Sequence, residues 1–160
     1  MQNLSITQID TAKVSIIEDF KEITKMRLAL SVVFSSVAGY LLGVDVVSWS
    51  TLALLAVGGY FMVGASNAFN QIIERDLDAL MDRTKNRPIP SGRMSVNTAF
   101  IIAAVFTILG IIVLYSINPI TAMFGAISIF CYVSLYTPLK TKTPLAVFVG
   151  AIPGAIPFML

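Results

Sequence analysis

Residues 49–73 read WSTLALLAVGGYFMVGASNAFNQII, and residues 74–93 continue as ERDLDALMDRTKNRPIPSGR. The first stretch has no charge over 25 residues. About 20 apolar residues are enough for a helix to cross a bilayer. In the second stretch nine of twenty residues are charged. A charge-free run that ends abruptly in a charged one reads as a membrane helix meeting water. Working outward, three more apolar runs span Leu28–Val44, Val96–Ile117 and Pro119–Tyr136, and a fifth begins near Pro144 and is still apolar at Leu160. Composition agrees. The 160 residues are 56% hydrophobic and 12% charged, with a mean hydropathy of +0.83, where a soluble domain carries about a quarter charged residues. The fold class expected is all-α: a polytopic transmembrane helix bundle with about five helices here, in one membrane domain over residues 1–160.

The basic residues give the topology. Lys13, Lys21, Lys25 and Arg27 precede the first run. Arg75, Arg83, Lys85, Arg87 and Arg93 lie between the second and third, and Lys140 and Lys142 between the fourth and fifth. Together these are all 11 Lys and Arg of the chain. The two remaining turns hold only Asp45 and the uncharged Asn118-Pro119. By the positive-inside rule, residues 1–26 form a cytoplasmic or interfacial N-terminus and 74–95 a cytoplasmic loop. Met1 to Lys25 lacks the pattern of a signal peptide. Within it, Ile16, Ile17 and Phe20 are predicted to form the apolar side of an interfacial helix that also carries Asp10, Glu18, Asp19 and Glu22. The fifth run has 16 residues from Leu145 to the end, short for a span. It is expected either to belong to a longer protein or to be a re-entrant segment. Gly150, Pro153, Gly154 and Pro157 are predicted to kink or interrupt it. Gly39 with Gly43, and Gly58, Gly59 and Gly64, read as small residues that let helices approach in lipid.

The composition also excludes some chemistry. There is no histidine, so no imidazole ligand for metal or haem comes from these residues. The single cysteine, Cys131, forms no internal disulfide and reads as a small buried hydrophobe. No nucleic-acid partner is expected; membrane lipid is.

The segment that carries chemistry runs from Asn67 to Arg93. Asn70, Glu74 and Asp78 are spaced i, i+4, i+8, so on a helix they share one face, drifting about 40° per step. Asp82 extends that face if the helix continues, and Asp76 points away. Magnesium takes oxygen ligands and is commonly held by one or two carboxylates together with substrate phosphates. Diphosphate becomes a leaving group when metal ions and Lys/Arg neutralise it. Arg75, Arg83, Lys85, Arg87 and Arg93 supply such cations beside the acids. A mixed-charge cytoplasmic loop is often merely solvated. Two features argue otherwise: Asn70 and Glu74 sit at the end of an apolar helix, where polar groups are expensive, and Pro88, Pro90 and Ser91-Gly92 rigidify the tail.

Asn70-x-x-x-Glu74-x-Asp76-x-Asp78, followed by Arg83-Thr84-Lys85-Asn86-Arg87-Pro88-Ile89-Pro90-Ser91-Gly92, resembles the first aspartate-rich motif of the UbiA prenyltransferase superfamily, with Glu74 where many members have Asp. Leu135-Tyr136-Thr137-Pro138-Leu139-Lys140 and Gly150-Ala151-Ile152-Pro153-Gly154-Ala155 are similar to stretches of its protohaem IX farnesyltransferase branch. The resemblance covers about Thr24 to Leu160. It implies a bundle of about nine transmembrane helices, with a second aspartate-rich motif in a half not contained here. It also implies Mg2+-dependent transfer of a farnesyl group from farnesyl diphosphate to a vinyl group of haem B, giving haem O in a bacterial inner membrane. Haem A synthase and terminal-oxidase assembly are the partners implied. On this footing Asn70, Glu74 and Asp78 hold the metal, and Arg83, Arg87 and Lys140 neutralise the diphosphate. Tyr136 joins Lys140 in catalysis by hydrogen bonding or by its ring. Asp76 either holds a second magnesium or pairs with an arginine. Arg93 and Lys142 are read as topology determinants in contact with lipid head groups. The rival readings are a UbiA-type enzyme that prenylates an aromatic acid such as 4-hydroxybenzoate, and a transporter fragment. Transporters place polar groups near the midplane, whereas the cores of the first four runs lack charge.

Overall fold

The structure, a computed structural model, describes residues 16–159. Asp10 and Lys13 lie outside the described residues. Every regular element described is helical. A short helix α1 (Ile16–Ile23) precedes α2 (Met26–Gly43), the long α3 (Trp49–Leu80) and α4 (Val96–Tyr115). Then α5 (Pro119–Phe130) widens into a π-helical segment (Cys131–Tyr136) and closes with α6 (Thr137–Leu139), and α7 (Ala146–Met159) follows. Four of these segments are long and apolar enough to cross a membrane: α2, α3, α4 and the continuous stretch Pro119–Leu139. The α7 helix is apolar but shorter.

The helix starts follow from local chemistry. Ser48 Oγ accepts the Thr51 amide, Ser95 Oγ accepts the Thr98 amide and Asn118 Oδ1 accepts the Thr121 amide. In each case a side-chain oxygen satisfies an amide that the first helical turn leaves free. Pro119 follows its cap directly, where its missing N–H removes nothing from the helix. The α2–α3 turn is tied by Tyr40, whose hydroxyl accepts the Ser48 amide at 3.0 Å.

Two buried clusters hold the bundle. Near the charged end, Ile23, Ala68, Ile89, Ala99 and Ala103 join α1, α3, α4 and the 81–95 loop. Toward the other end, Leu55, Met62, Leu114 and Ala122 join α3, α4 and α5. Small residues set the spacing. A Cβ on Gly58 would meet Leu114 at 2.6 Å, and one on Gly64 would meet Phe106 at 2.9 Å. One on Gly39 would overlap the Phe158 carbonyl, which shows how closely α2 approaches α7. Gly43 has open space around it, so only the first member of the Gly39/Gly43 pair mediates a close approach here. Cys131 is buried and unpaired.

The structure departs from the sequence expectations at three points. First, α3 does not stop at Ile73 but runs to Leu80, so residues 74–80 of the expected loop are helical and the loop begins at Met81. Second, Pro153 and Pro157 lie inside a continuous α7. Pro157 cannot donate to the Pro153 carbonyl four residues back, and Ser128 Oγ donates to that carbonyl instead, at 3.4 Å. A neighbouring hydroxyl often rescues a membrane helix broken by proline in this way. Third, Arg93 does not face open lipid. It donates to Asp19 at 2.8 Å, to Glu22 at 3.0 Å and to the Asn86 carbonyl at 2.8 Å, tying α1 to the loop.

Candidate diphosphate and metal site

The last turns of α3 carry Asn70, Glu74 and Asp78 on one face. All three are buried, at 1%, 7% and 3% exposure. Helix α6 and the π segment before it come down against this face. Pro138 has no N–H with which to close an α-turn on Ser134, and the helix widens over the six residues around that point. There Tyr132 and Tyr136 pack with ring centroids 5.3 Å apart. A Cβ on Gly150 would meet the Tyr136 ring at 2.8 Å, so the absence of a side chain there makes room for that ring.

The polar groups interlock. Lys140 Nζ donates to both Glu74 oxygens, at 2.7 and 2.9 Å, and lies 3.5 Å from Asn70 Oδ1. Asn70 Nδ2 donates to Glu74 Oε2 at 2.9 Å. Arg87 Nη1 donates to Asp78 Oδ2 at 2.6 Å. Thr137 Oγ1 lies 3.2 Å from Asn70 Oδ1 and 2.8 Å from the Tyr132 carbonyl. Thr84 Oγ1 donates to the Asp78 carbonyl at 3.0 Å, closing the end of α3 onto the loop. Lys140 also sits 5.7 Å from the Tyr136 ring centroid, within cation–π range. Gly92, with φ 77°, turns the loop back toward α4, and Ser91 Oγ donates to the Arg87 carbonyl at 2.6 Å.

These groups line one cavity of about 440 Å³. Of the residues singled out from sequence, Asn70, Glu74, Asp78, Arg83, Arg87, Tyr136 and Lys140 all line it. Asp76 does not: its side chain is 88% exposed and pairs with neighbouring Arg75 at 3.4 Å. Asp82 is likewise exposed, against Lys85 at 2.7 Å. Lys25, Tyr132 and Thr141 line the cavity as well, and sequence reading gave them no role in it. Lys25 had looked like one of several N-terminal charges. Its adjacency to the helix start was the available signal. Burial, then the positive charges of Arg87 and Lys140, hold the Lys25 ammonium below the usual lysine range. Tyr132 also lines a second, mostly apolar cleft of about 220 Å³, between α2, α3, α5 and α7, walled by Leu28, Val32, Val63, Pro153 and Pro157.

Two buried carboxylates and an amide oxygen on one wall are the donors that magnesium takes from a protein when phosphate oxygens and water complete its shell. Each carboxylate is ion-paired in the structure, so a metal would have to compete with Lys140 and Arg87. That competition is acceptable chemically if an anionic ligand arrives at the same time to receive the two cations.

Residues 32–160 match the UbiA prenyltransferase family. The chain is 74% identical over 157 residues to the protoheme IX farnesyltransferase of Christiangramia forsetii, covering 98% of the chain and 52% of that relative. To the enzyme of the same name from Flavobacterium psychrophilum it is 72% identical over 149 residues, covering 91% and 50%. The chain thus spans about half the length of the curated relatives it matches. Among solved structures, a UbiA homolog from Archaeoglobus fulgidus bound to GPP and Mg2+ superposes with a TM-score of 0.78 at 19% identity, covering 88% of this chain and 52% of that one. At that identity the likeness is one of fold.

Proposed function

Since the chain belongs to the UbiA prenyltransferase family and is part of a multi-pass membrane protein, we propose that the whole protein transfers a farnesyl group from farnesyl diphosphate to a vinyl group of haem B, yielding haem O. The observation that carries this reading is the cavity in which Asn70, Glu74 and Asp78 face Arg83, Arg87, Lys140 and Tyr136, beside an apolar cleft that shares Tyr132 with it. The printed names of the two closely similar relatives supply the acceptor and favour haem over an aromatic acid. The orientation proposed puts this cavity on the cytoplasmic side of a bacterial inner membrane, with the product passing to haem A synthase and terminal-oxidase assembly.

Glu74 and Asp78, with Asn70 Oδ1, would hold the magnesium, which when bound neutralises charge on the leaving diphosphate. Lys140 and Arg87 turn from their carboxylates to phosphate oxygens, and Arg83 approaches from the loop. Because these cations are already in place, little reorganisation is needed as the farnesyl C1–O bond breaks. The Tyr136 ring, held by Tyr132 and given room by Gly150, faces the allylic cation and lowers its energy by cation–π attraction. The apolar cleft takes the prenyl tail out of water, which protects the cation from hydrolysis. Asp76, exposed and paired with Arg75, is not assigned to the metal in this half of the protein.

The test uses the full-length protein in membranes, supplied with farnesyl diphosphate, haem B and magnesium, with mass spectrometry of the extracted haems. A magnesium-dependent gain of the hydroxyethylfarnesyl mass supports the reading. Prenylation of 4-hydroxybenzoate with no change to haem would move the protein to the quinone branch.

A further inference from the structure

Lys25 is the one non-glycine residue with positive φ among those described, at 46°. It stands at the break between α1 and α2. A side chain with a Cβ is disfavoured in left-handed backbone, where glycine or asparagine is the ordinary occupant. The break itself is built by other residues. Thr24 Oγ1 donates to the Phe20 carbonyl at 2.9 Å. Gln71 Nε2 donates to the carbonyls of Glu22 and Ile23 at 3.1 and 3.2 Å, and Asn67 Nδ2 to that of Thr24 at 3.4 Å. Nothing in this local bonding calls for a lysine side chain. The Lys25 ammonium makes no ion pair or hydrogen bond among the described residues, yet the side chain lines the cavity that holds Asn70, Glu74 and Asp78.

The two carboxylates of that cavity already have their cations, Lys140 on Glu74 and Arg87 on Asp78. Four basic side chains face two acids, so the cavity is net positive and Lys25 is a cation in excess of the acids. A residue kept in an unfavourable backbone conformation, with a side chain that bonds to nothing in the fold, is most simply explained by a ligand that it meets.

We propose that Lys25 is an anion-binding residue of this site, donating to a phosphate oxygen of the prenyl diphosphate from the α1–α2 break. Asn67 and Gln71 are positioning residues that hold the break so that the ammonium enters the cavity. The inference rests on the reading of the site as one for a prenyl diphosphate. It adds a contact from an element that carries none of the residues singled out from sequence.

The test compares Lys25→Gly, Lys25→Asn and Lys25→Arg with wild type in the full-length protein. Three quantities are read: the Kd of farnesyl diphosphate with magnesium by calorimetry, the KM for farnesyl diphosphate and for haem B, and the thermal midpoint. Glycine and asparagine relieve the backbone, so both variants keep or raise the thermal midpoint. Both raise Kd and KM for farnesyl diphosphate by about ten- to a hundredfold, the loss of one hydrogen bond to a charged group, and leave the KM for haem B unchanged. Arginine stays within a few-fold of wild type. Wild-type Kd and KM in Lys25→Gly and Lys25→Asn, with wild-type turnover intact, would overturn the inference alone. A thermal midpoint lowered in both variants would overturn it too, by giving the lysine a structural role. Absence of farnesyl diphosphate binding in wild type would overturn the reading of the site itself.

Discussion

Arg87→Met removes the guanidinium that sits 2.6 Å from the Asp78 carboxylate. The side chains of this pair are 16% and 4% exposed, so the carboxylate left behind has almost no access to water. Deleting one partner of a buried pair typically destabilises by about 3–5 kcal/mol. Arg87 lies at the cavity edge, so part of that loss is screened, and about 2–3 kcal/mol is expected. Asp78→Asn leaves the better-solvated partner alone and should lose about 1–2 kcal/mol. The double variant leaves no orphaned charge, so its loss should fall short of the sum by about 2 kcal/mol. Chemical or thermal unfolding of the full-length protein in one detergent, followed by helical circular dichroism, gives the stabilities, and haem O formation gives the activity. Turnover should vanish in all three variants, because a metal ligand or a phosphate cation is missing in each. Strict additivity of the two stability losses would refute the claim that the pair is coupled. Retained haem O formation in Asp78→Asn would remove that residue from the metal site.

Four further outcomes follow from the geometry. Glu74→Gln should lower haem O formation at least a hundredfold, the scale of losing a preorganised electrostatic group; chelation of divalent ions should stop the wild-type reaction, and added magnesium should restore it. Gly39→Leu places carbon against the Phe158 main-chain carbonyl, which cannot rotate away, so unfolding measurements should show a loss of about 1–3 kcal/mol. Arg93→Ala releases the Asp19 and Glu22 contacts; stability should fall by about 1 kcal/mol, because the pair with Glu22 is largely exposed, and limited proteolysis should cut faster within residues 16–25. Tyr136→Phe should keep most of kcat while Tyr136→Leu loses it, if the ring and not the hydroxyl meets the allylic cation.

The spans were legible because the bilayer imposes a length, and α3 and α4 begin at the very residues, Trp49 and Val96, where the apolar runs begin. The acid face was legible for a related reason. The spacing of Asn70, Glu74 and Asp78 is helical whether or not the hydropathy remains high, and α3 does carry on past Ile73 to present it. What could not be read was anything that depends on which helix lies beside which. The Lys140 contact to Glu74 joins residues 66 apart in the chain. Arg93 looked like one more loop charge, and only the return of α1 over the loop turned it into a tether. Lys25 escaped for the same reason. Its neighbours in sequence are an interfacial helix, whereas its neighbours in space are the acids. The continuity of α7 was obscured by its prolines, since the hydroxyl that receives the freed carbonyl belongs to Ser128 on another helix.

The wide segment Cys131–Tyr136 has a consequence for how this protein tolerates insertions and deletions. A π-turn is an α-helix with one residue too many. Deleting a residue there would let the ordinary helix close, and an apolar span would survive intact. Everything after the deletion would then be rotated by about 100°, the angular step of one α-helical residue. Lys140 would swing away from Glu74, and Tyr136 out of the space that Gly150 leaves for it. A frame-preserving loss of one codon, harmless to membrane insertion, would therefore disengage the fourth span from the acid face, so the register of that span is counted from the surplus residue.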